Sequence, residues 1–489
     1  MQNLIVVNEP RNWPLDIPDV KLVSARAYLT DPAYSDLRRV RVFNLARSYR
    51  YQSLGYYVSL LAHARGHKPL PSITSIQEMK LATRVRFVSE DLDELIQKSL
   101  APIKSQEFTL SIYFGRNVAK RYDPLSANLF KLFEAPMLRA HFVREKKWEL
   151  QRIGPVSANE IAPEHRPFVA AVATEYFARK RSTWRRRSTP RFELAILHNP
   201  EEPEPPSDER ALHRFVRAAE TLDLGAELIT RDDYGDVPTY DALFIRETTA
   251  VNHHTFRFAS RAAAEGLVVI DDPESILRCT NKVFLAEVLD RHEITHPRTL
   301  IVHRDNVNRI VSELGLPCIL KQPDSAFSQG VVKANTAEEA VAEAERLLER
   351  SELVVAQQFL PTPFDWRIGV LDRRPLYACR YYMAEKHWQI IDHRRRGNRR
   401  YGKYETVAID EAPARVVRTA LRAANLFGDG LYGVDLKEIG RAAYVIEVND
   451  NPSIETGVED LVLKDELYLE VMRVFLRRIE GRKQRRARA

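Results

Sequence analysis

Asp435, Glu447 and Asn449 are the residues with the clearest capacity for chemistry. They lie in Gly433-Val-Asp435 and, after one short excursion, in Tyr444-Val-Ile-Glu447-Val-Asn449-Asp-Asn451-Pro452. Val434 to Leu436 and Tyr444 to Val448 read as short β runs, and the two-residue period of a strand sends Glu447 and Asn449 to one face. Asp435 completes the set from the neighbouring strand. Two carboxylates and an amide oxygen are hard donors that suit Mg²⁺, which keeps waters and substrate phosphates in its remaining octahedral positions. The plain alternative is two surface acids near a turn.

Residues upstream tilt the balance toward the metal. Asn281-Lys282-Val-Phe-Leu-Ala-Glu-Val-Leu289 reads as a helix, and Arg298-Thr-Leu-Ile-Val302 as a strand. Leu316-Pro-Cys-Ile-Leu-Lys321 is a strand ending in a lysine. A small polar loop follows, Asp324-Ser325-Ala-Phe-Ser328-Gln-Gly330, and then the strand Val331-Val-Lys333. A strand lysine beside such a loop suits a polyphosphate, because the ammonium supplies charge and the loop supplies hydrogen-bond donors. Leu353-Val-Val-Ala-Gln357-Gln358-Phe359-Leu360 is a buried strand broken by Pro361, a hinge whose backbone could both donate to and accept from an adenine base.

The elements that must position these residues belong to a chain too long for one core. Its 489 residues imply two to four domains, and 44% hydrophobic with 29% charged residues is ordinary globular composition. No apolar run approaches the roughly 20 residues of a membrane span, and the N-terminus turns polar too early for a signal peptide, so a cytoplasmic protein is expected. Cys279, Cys318 and Cys379 lack ligand-type spacing and read as free thiols in a reducing compartment. The net charge of +7 is concentrated at one end, where residues 477 to 489 carry seven basic side chains against the single acid Glu480. A second basic run occupies 179 to 187. Each reads as a solvated tail or linker, or as a surface for RNA or an acidic partner.

Three regions are expected. Residues 1–187 look like mixed α/β, with a buried strand at Asn3 to Val7 and an amphipathic helix at Ser53 to His63. The second region, 188–278, alternates strands at Phe192 to Leu197, Ala242 to Ile245 and Leu267 to Ile270 with a helix at Asp208 to Leu222. That pattern implies a small parallel sheet with ligand groups at strand carboxyl ends. The third region begins near Cys279. No internal repeat is evident in the sequence.

The order of motifs from about Arg191 to Ile479 resembles the ATP-grasp superfamily, specifically the RimK-like carboxylate–amine ligases, whose relatives include glutathione synthetase and the ribosomal-protein glutamate ligase. Lys282, Lys321, the hinge 357 to 360, Asp365-Trp-Arg367, Arg380 and the Asp435, Glu447, Asn449 set stand in the family's order, with twelve residues from Asp435 to Glu447. The resemblance implies an α/β ATP-grasp fold with two α+β lobes clasping ATP. A small lobe at 279–355 and a large lobe at 356–480 would follow a pre-ATP-grasp domain at 188–278. Residues 1–187 resemble the extra α/β domain of a subset of RimK-like proteins, and 481–489 would be a basic tail.

By the same resemblance, Lys282, Lys321, Ser325, Ser328 and Gly330 would hold ATP phosphates, Gln357, Gln358, Phe359 and Leu360 the adenine, and Asp365 would join the nucleotide site. Asp435, Glu447 and Asn449 would bind one or two Mg²⁺ ions, or Mn²⁺, while Arg367 and Arg380 would steady the transferred phosphoryl group. The implied reaction forms an amide or peptide bond through an acyl phosphate, and it needs no protein nucleophile. Two departures stand out: the 325 to 330 loop has one glycine where relatives often have several, and Gln358 replaces a common acid.

Six arginines and lysines between His387 and Lys403 would suit an acidic substrate such as glutamate, joined to an amino acid, a peptide or a protein terminus; a solvated basic loop is the alternative. Arg246-Glu-Thr-Thr249 and Asn252-His-His254 could reach the same cleft, while His253 and His254 could equally be exposed loop residues. Asn44 to Tyr57 is the densest polar and aromatic cluster of the first region, and it reads as a packed helix face or as a recognition surface for a peptide or amino acid. A nucleotide switch without turnover, a ribosome- or RNA-associated role through the basic tail, and homo-oligomerisation remain open alternatives.

Overall fold

The computed structural model describes residues 2–488 apart from 16, 19, 38–39, 179–189, 325–329, 385–386 and 391–401. The basic run 179 to 187, the serines 325 and 328 and most of the basic loop before Lys403 therefore lie outside the described residues. The chain divides into two units, Met1–Thr189 with Asp232–Thr239, and Pro190–Arg231 with Tyr240–Ala489.

The first unit opens with four parallel strands, β1 (Gln2–Val7), β2 (Lys21–Ser24), β3 (Val40–Asn44) and β4 (Lys68–Leu70), in the order β2-β1-β3-β4. β1 is apolar along Leu4 to Val7, and all four of these residues are buried, as a parallel strand covered on both faces requires. The helix Leu54–Ala64 crosses from β3 to β4, capped by the Ser53 hydroxyl, which accepts from the Tyr56 N–H at 3.3 Å. Three antiparallel strands follow, β5 (Glu107–Tyr113), β6 (Met137–Arg144) and β7 (Trp148–Pro155), paired in sequence order around the core of Leu110, Leu129, Phe133 and Phe142.

The second unit begins with another parallel sheet, β8 (Phe192–Leu197), β9 (Leu224–Ile229), β10 (Ala242–Ile245) and β11 (Val268–Ile270), ordered β11-β10-β8-β9. The helices Glu209–Thr221 and Asp465–Arg488 pack on it through Phe215, Tyr468 and Phe475. Next comes an antiparallel sheet of β12 (Thr299–Val302), β13 (Cys318–Lys321), β14 (Val331–Ala334) and β15 (Val354–Gln358), ordered β12-β15-β13-β14. The last sheet holds β16 (Phe364–Leu371), β17 (Arg374–Tyr382), β18 (Tyr404–Val407), β19 (Leu431–Ile439) and β20 (Ala442–Asp450), ordered β18-β17-β16-β19-β20. One face of it is apolar, with Trp366, Ile368, Val434 and Leu436 packed against the helix Ala414–Ala424. Its other face carries charge.

The structure contains a repeat that the sequence does not display. β1 to β4 and β8 to β11 share their strand order and parallel sense. The helices Leu54–Ala64 and His254–Ala264 sit 200 positions apart, as do β4 and β11 and the helix caps Ser72 and Asp272. Gly66 and Gly266 likewise close the two helices at φ values of 70° and 75°. The two helix sequences, LGYYVSLLAHA and HTFRFASRAAA, keep the burial pattern while sharing almost no side chains, which is why no repeat is legible.

Two expected boundaries shift. A division between 355 and 356 falls inside β15, all of which belongs to the four-stranded sheet. Residues 481–488 continue the C-terminal helix instead of leaving it as a tail; among them Lys483 lies 3.1 Å from Asp241, and just before them Arg477 and Arg478 meet Asp372.

Candidate active site

The charged face of the last sheet is built by register. Asp435 on β19 lies opposite Glu447 on β20 and opposite Arg367 on β16, and residues directly opposed across an antiparallel ladder share a face. Arg367 grips Asp435 with both arms of its guanidinium, Nε to Oδ1 at 2.7 Å and Nη2 to Oδ2 at 2.8 Å. Asn449 stands two residues beyond Glu447 and donates its Nδ2 to Asp435 Oδ2 at 3.1 Å. The three expected donors are therefore together, with Asn449 Nδ2 turned to Asp435, which leaves its amide oxygen available as a third hard donor.

Two lysines enter from other elements. Lys282 begins the helix Lys282–Arg291, whose start is fixed by the Asn281 side chain accepting from Val283 and Phe284 N–H groups. The Lys282 N–H in turn donates to Pro323 O at 3.0 Å, tying the helix start to the neck of the 324–330 loop. Its Nζ sits 2.9 Å from Glu447 Oε1. Lys321 ends β13, and burial, opposed in part by Glu447 and reinforced by Lys282, brings its ammonium down to a pKa of about 8. Burial pushes the Glu447 carboxyl up, yet Lys282, Lys321 and Arg367 outweigh it and hold the group below its ordinary value. Glu447 is thus an ionised oxygen donor held among cations.

The remaining expected residues fall into three groups. Asp365 reaches the same face, where Lys437 Nζ binds its Oδ1 at 2.5 Å and Thr362 donates to it at 3.0 Å; burial still leaves its carboxyl above the usual range. Gly330, at φ 72°, accepts from the Gln322 N–H at 3.1 Å and closes the loop neck. Gln357 and Gln358 end β15, with the Gln357 amide donating to Thr299 Oγ1 at 3.0 Å and the Gln358 N–H to Arg298 O at 2.9 Å. Phe359 leaves the strand beneath the Lys333 ammonium, 3.9 Å from its ring centroid, with Leu360 next.

Arg380 is not brought to the cluster. It lies opposite Trp366, not Arg367, and the alternation of side chains puts it on the other face of the sheet. There it stacks on Trp366 and Phe364 at 4.6 and 5.4 Å and pairs with Glu405 at 3.0 Å. The position that does face the site is Tyr381, whose ring lies 5.3 Å below Arg367 and whose hydroxyl donates to the buried Glu459.

Arg246 also departs from expectation. It is fully buried, not a cleft residue, and donates to Ser207 Oγ at 3.0 Å, Asn451 Oδ1 at 2.7 Å and Pro452 O at 2.9 Å. It therefore clamps the backbone that leaves β20. Thr249 in the same loop donates to Asp450 Oδ2 at 2.7 Å. Glu247, His253 and His254 cluster nearby, with His254 Nε2 2.9 Å from Glu247 Oε2.

Sequence reasoning passed over Lys437 and Tyr381. Strand periodicity could have found Lys437, two residues from Asp435 and on the same face; Tyr381 needed the register of β16 on β17, which no local pattern fixes.

Residues 25–172 match the family model described as the RimK-like ATPgrasp N-terminal domain, and residues 279–465 match that of the RimK-like ATP-grasp domain. A probable alpha-L-glutamate ligase of Vibrio vulnificus is 26% identical over 234 residues, 47% of this chain and 74% of that protein. A probable alpha-L-glutamate ligase of Rhodopirellula baltica is 31% identical over 189 residues, 38% of this chain and 44% of that protein. Among solved structures, a D-alanine–D-alanine ligase of Bacillus anthracis aligns over 60% of this chain and 99% of its own at 14% identity and a TM-score of 0.46. A RimK-domain ATP-grasp protein of Sphaerobacter thermophilus aligns over 58% and 99%, at 18% identity and a TM-score of 0.44. No described helix is long and apolar enough to cross a membrane.

Proposed function

We propose, from the premise that this chain belongs to the RimK-like ATP-grasp proteins, that it is an ATP-dependent carboxylate–amine ligase whose acyl or amine substrate is an acidic amino acid such as glutamate. The observation that carries the reading is the convergence of Asp435, Glu447 and Asn449 with Lys282, Lys321 and Arg367 on one charged sheet face.

The chemistry starts from a clash of charges. A substrate carboxylate oxygen attacks the γ-phosphorus of ATP, the bond to the β-phosphate oxygen breaks, and ADP leaves; both reactants are anions, so cations must offset their repulsion. Lys282 and Lys321 are placed to hold phosphate oxygens from the helix start and the end of β13. Arg367 has the geometry to stabilise the transferring phosphoryl group, on releasing one arm from Asp435. The resulting acyl phosphate is attacked by an amine, the carbon–oxygen bond to phosphate breaks, and amide, phosphate and a proton are released.

The donor set of Asp435, Glu447 and Asn449 fits one or two Mg²⁺ ions, with Mn²⁺ as a substitute, because every available donor atom is a hard oxygen. Such an ion, when bound, neutralises phosphate charge and orients the γ-phosphate. Lys282 would then exchange Glu447 for phosphate, and Arg367 would exchange part of Asp435. Tyr381 keeps Arg367 positioned from below throughout. A reducing, cytoplasmic setting suits the three buried free thiols.

The test is ADP release with Mg²⁺ and ATP against pooled amino acids and short peptides, with mass spectrometry of products and an Asp435→Asn, Glu447→Gln variant as control. Amino-acid-dependent ADP release with a product one water lighter than its parts, absent in the variant, is expected. ATP binding without stimulation by any pool would overturn the amino-acid ligase reading.

A further inference from the structure

The repeat of β1 to β4 in β8 to β11 shows what is particular to the second copy. The Leu45 N–H donates to Val6 O at 2.9 Å and the Arg246 N–H to Leu197 O at 2.7 Å, so positions 45 and 246 correspond. The helices Leu54–Ala64 and His254–Ala264 set 53 and 54 against 253 and 254. The first unit accordingly has Ala46, Ser53 and Leu54 where the second has Glu247, His253 and His254. Ser53 is an ordinary helix cap, its hydroxyl accepting from the Tyr56 N–H. His253 takes the same position without making a side-chain cap bond, so the second copy forgoes a cap in favour of an imidazole.

Glu247, His253 and His254 each bring one donor atom, and the three atoms lie within 4.8 Å of one another. Donors at about 2.1 Å from one tetrahedral ion stand roughly 3.4 Å apart, so adjustments on the order of 1 Å would close the set. Among the described residues, no other three His, Cys, Asp or Glu donors come together in this way. Two adjacent histidines converge because the backbone changes at the helix start: His253 is extended at φ −109°, ψ 163°, and His254 is the first helical residue. Their ring centroids are 3.9 Å apart. The Glu247 side chain is 3% exposed, and His254 Nε2 lies 2.9 Å from its Oε2.

The surroundings hold these groups in place. His253 Nδ1 lies 3.2 Å from Thr255 Oγ1, which donates to Thr248 O, so the ring is oriented through that nitrogen, as metal-bound imidazoles are. Asn451 Nδ2 donates to Glu247 O at 2.6 Å, and the Thr248 N–H to the Glu202 carboxylate at 3.2 Å. The nearby charges are mixed: Glu202 acts on Glu247 and His254 as a second anion, and Arg231 and Arg257 act on His253 as cations. A hard dication held by charge alone gains little in that field, whereas a borderline metal that bonds imidazole nitrogen still gains.

We propose that Glu247, His253 and His254 form a binding site for a borderline transition-metal dication such as Zn²⁺, distinct from the all-oxygen set of Asp435, Glu447 and Asn449. One carboxylate oxygen and two imidazole nitrogens leave a fourth position for water or an external ligand. A bound ion would pin the loop after β10, whose Arg246 and Thr249 hold the end of β20. The plainer role, His254 as counter-ion to a buried carboxylate, gives no part to His253. The site does not depend on the ligase reading.

The test is calorimetric titration of the full chain with Zn²⁺, in the Asp435→Asn, Glu447→Gln background so that the oxygen set does not compete, repeated with Co²⁺ for its visible spectrum. One Zn²⁺ per chain is expected, retained in excess Mg²⁺, with a Co²⁺ spectrum of nitrogen and oxygen ligation that lacks the thiolate charge-transfer band of a cysteine site. His253→Ser should weaken Zn²⁺ by at least about ten-fold, the lower end for disturbing even a supporting contact of a metal site, and His253→Ser with His254→Gln should abolish binding. His253→Ser installs the cap residue of the first copy, so the metal-free variant should unfold at no lower temperature than its parent, which separates loss of a ligand from loss of fold. No Zn²⁺ binding, displacement by Mg²⁺, a thiolate spectrum, or binding that survives the double histidine change would overturn the proposal.

Discussion

The two parallel sheets share a plan and differ in what fills the space behind it. In the second unit, Arg246 is buried with its guanidinium on Ser207, Asn451 and Pro452, and burial lowers its pKa to about 10. In the first unit, where Leu45 stands at the position equivalent to Arg246, the contacts at the end of β3 are neutral: Asn44 donates to Gly55 O at 2.6 Å and to Ser59 Oγ at 2.9 Å, and the Tyr49 hydroxyl donates to Asn44 O at 2.6 Å. Gly55 and Thr255 show the same contrast at equivalent helix positions. A Cβ at Gly55 would collide with Ser48 O, whereas Thr255 has room for a hydroxyl that reaches Thr248 O at 3.5 Å. The charged copy anchors a neighbouring strand, and the neutral copy draws its loop in tightly. One scaffold thus carries a buried charge in one unit and neutral hydrogen bonds in the other.

Breaking the charged copy has the largest expected effect. Arg246→Met leaves Asn451 Oδ1 and Pro452 O buried without their donor, and it should cost about 3–5 kcal/mol in urea unfolding, as removing one partner of a buried charged network does. Asn44→Ala, in the neutral copy, should cost about 1–3 kcal/mol. Equal losses would erase the distinction.

The same logic of faces separates two arginines. Arg367→Ala should lower kcat for ADP formation by about 10²-fold or more, the scale for losing one electrostatic stabiliser of the transferring group. Arg380→Ala removes packing on Trp366 and an exposed pair with Glu405, so kcat should change by less than about ten-fold, in line with the small energies of exposed ion pairs. The reverse ranking would place the reacting groups on the other sheet face.

Smaller again is Gly55→Ala, where the forced shift of Ser48 O should cost about 1–3 kcal/mol by thermal unfolding, against about 1 kcal/mol or less for Thr255→Ala.

The gentlest probe is pH. Lys321 titrates at about 8, below the ordinary lysine value, so the folded state binds fewer protons than the unfolded state above that point and stability rises with pH from about 8 toward 10.5. Over the same range Lys321 loses its charge, and if it holds phosphate as proposed, kcat/KM for ATP should fall about ten-fold per unit above pH 8. Lys321→Met should flatten both trends. A kcat/KM that stays level to pH 10 would remove Lys321 from phosphate binding.

Much of the charged face was legible because strand alternation is local: the spacing of Glu447 and Asn449, and a lysine at the end of β13, follow from sequence period alone. The placement of Arg380 was not, because its face depends on how β17 registers against β16, a contact between segments that no single segment encodes. Arg246 was misread for a related reason. An arginine after a strand looks free to reach a cleft until its partners, Ser207 and Asn451, arrive from 39 and 205 residues away. The repeat escaped notice because its two copies conserve burial and turns, not side chains.

The most direct test of the ligase account uses a substrate amino acid labelled with oxygen-18 in its carboxylate, incubated with the protein, ATP, Mg²⁺ and the amine partner. If the carboxylate attacks the γ-phosphorus, one labelled oxygen must leave with phosphate when the amide forms. Mass spectrometry should find label in the released phosphate in proportion to product, and none with Asp435→Asn, Glu447→Gln. Amide product with unlabelled phosphate would contradict an acyl phosphate and the central claim with it.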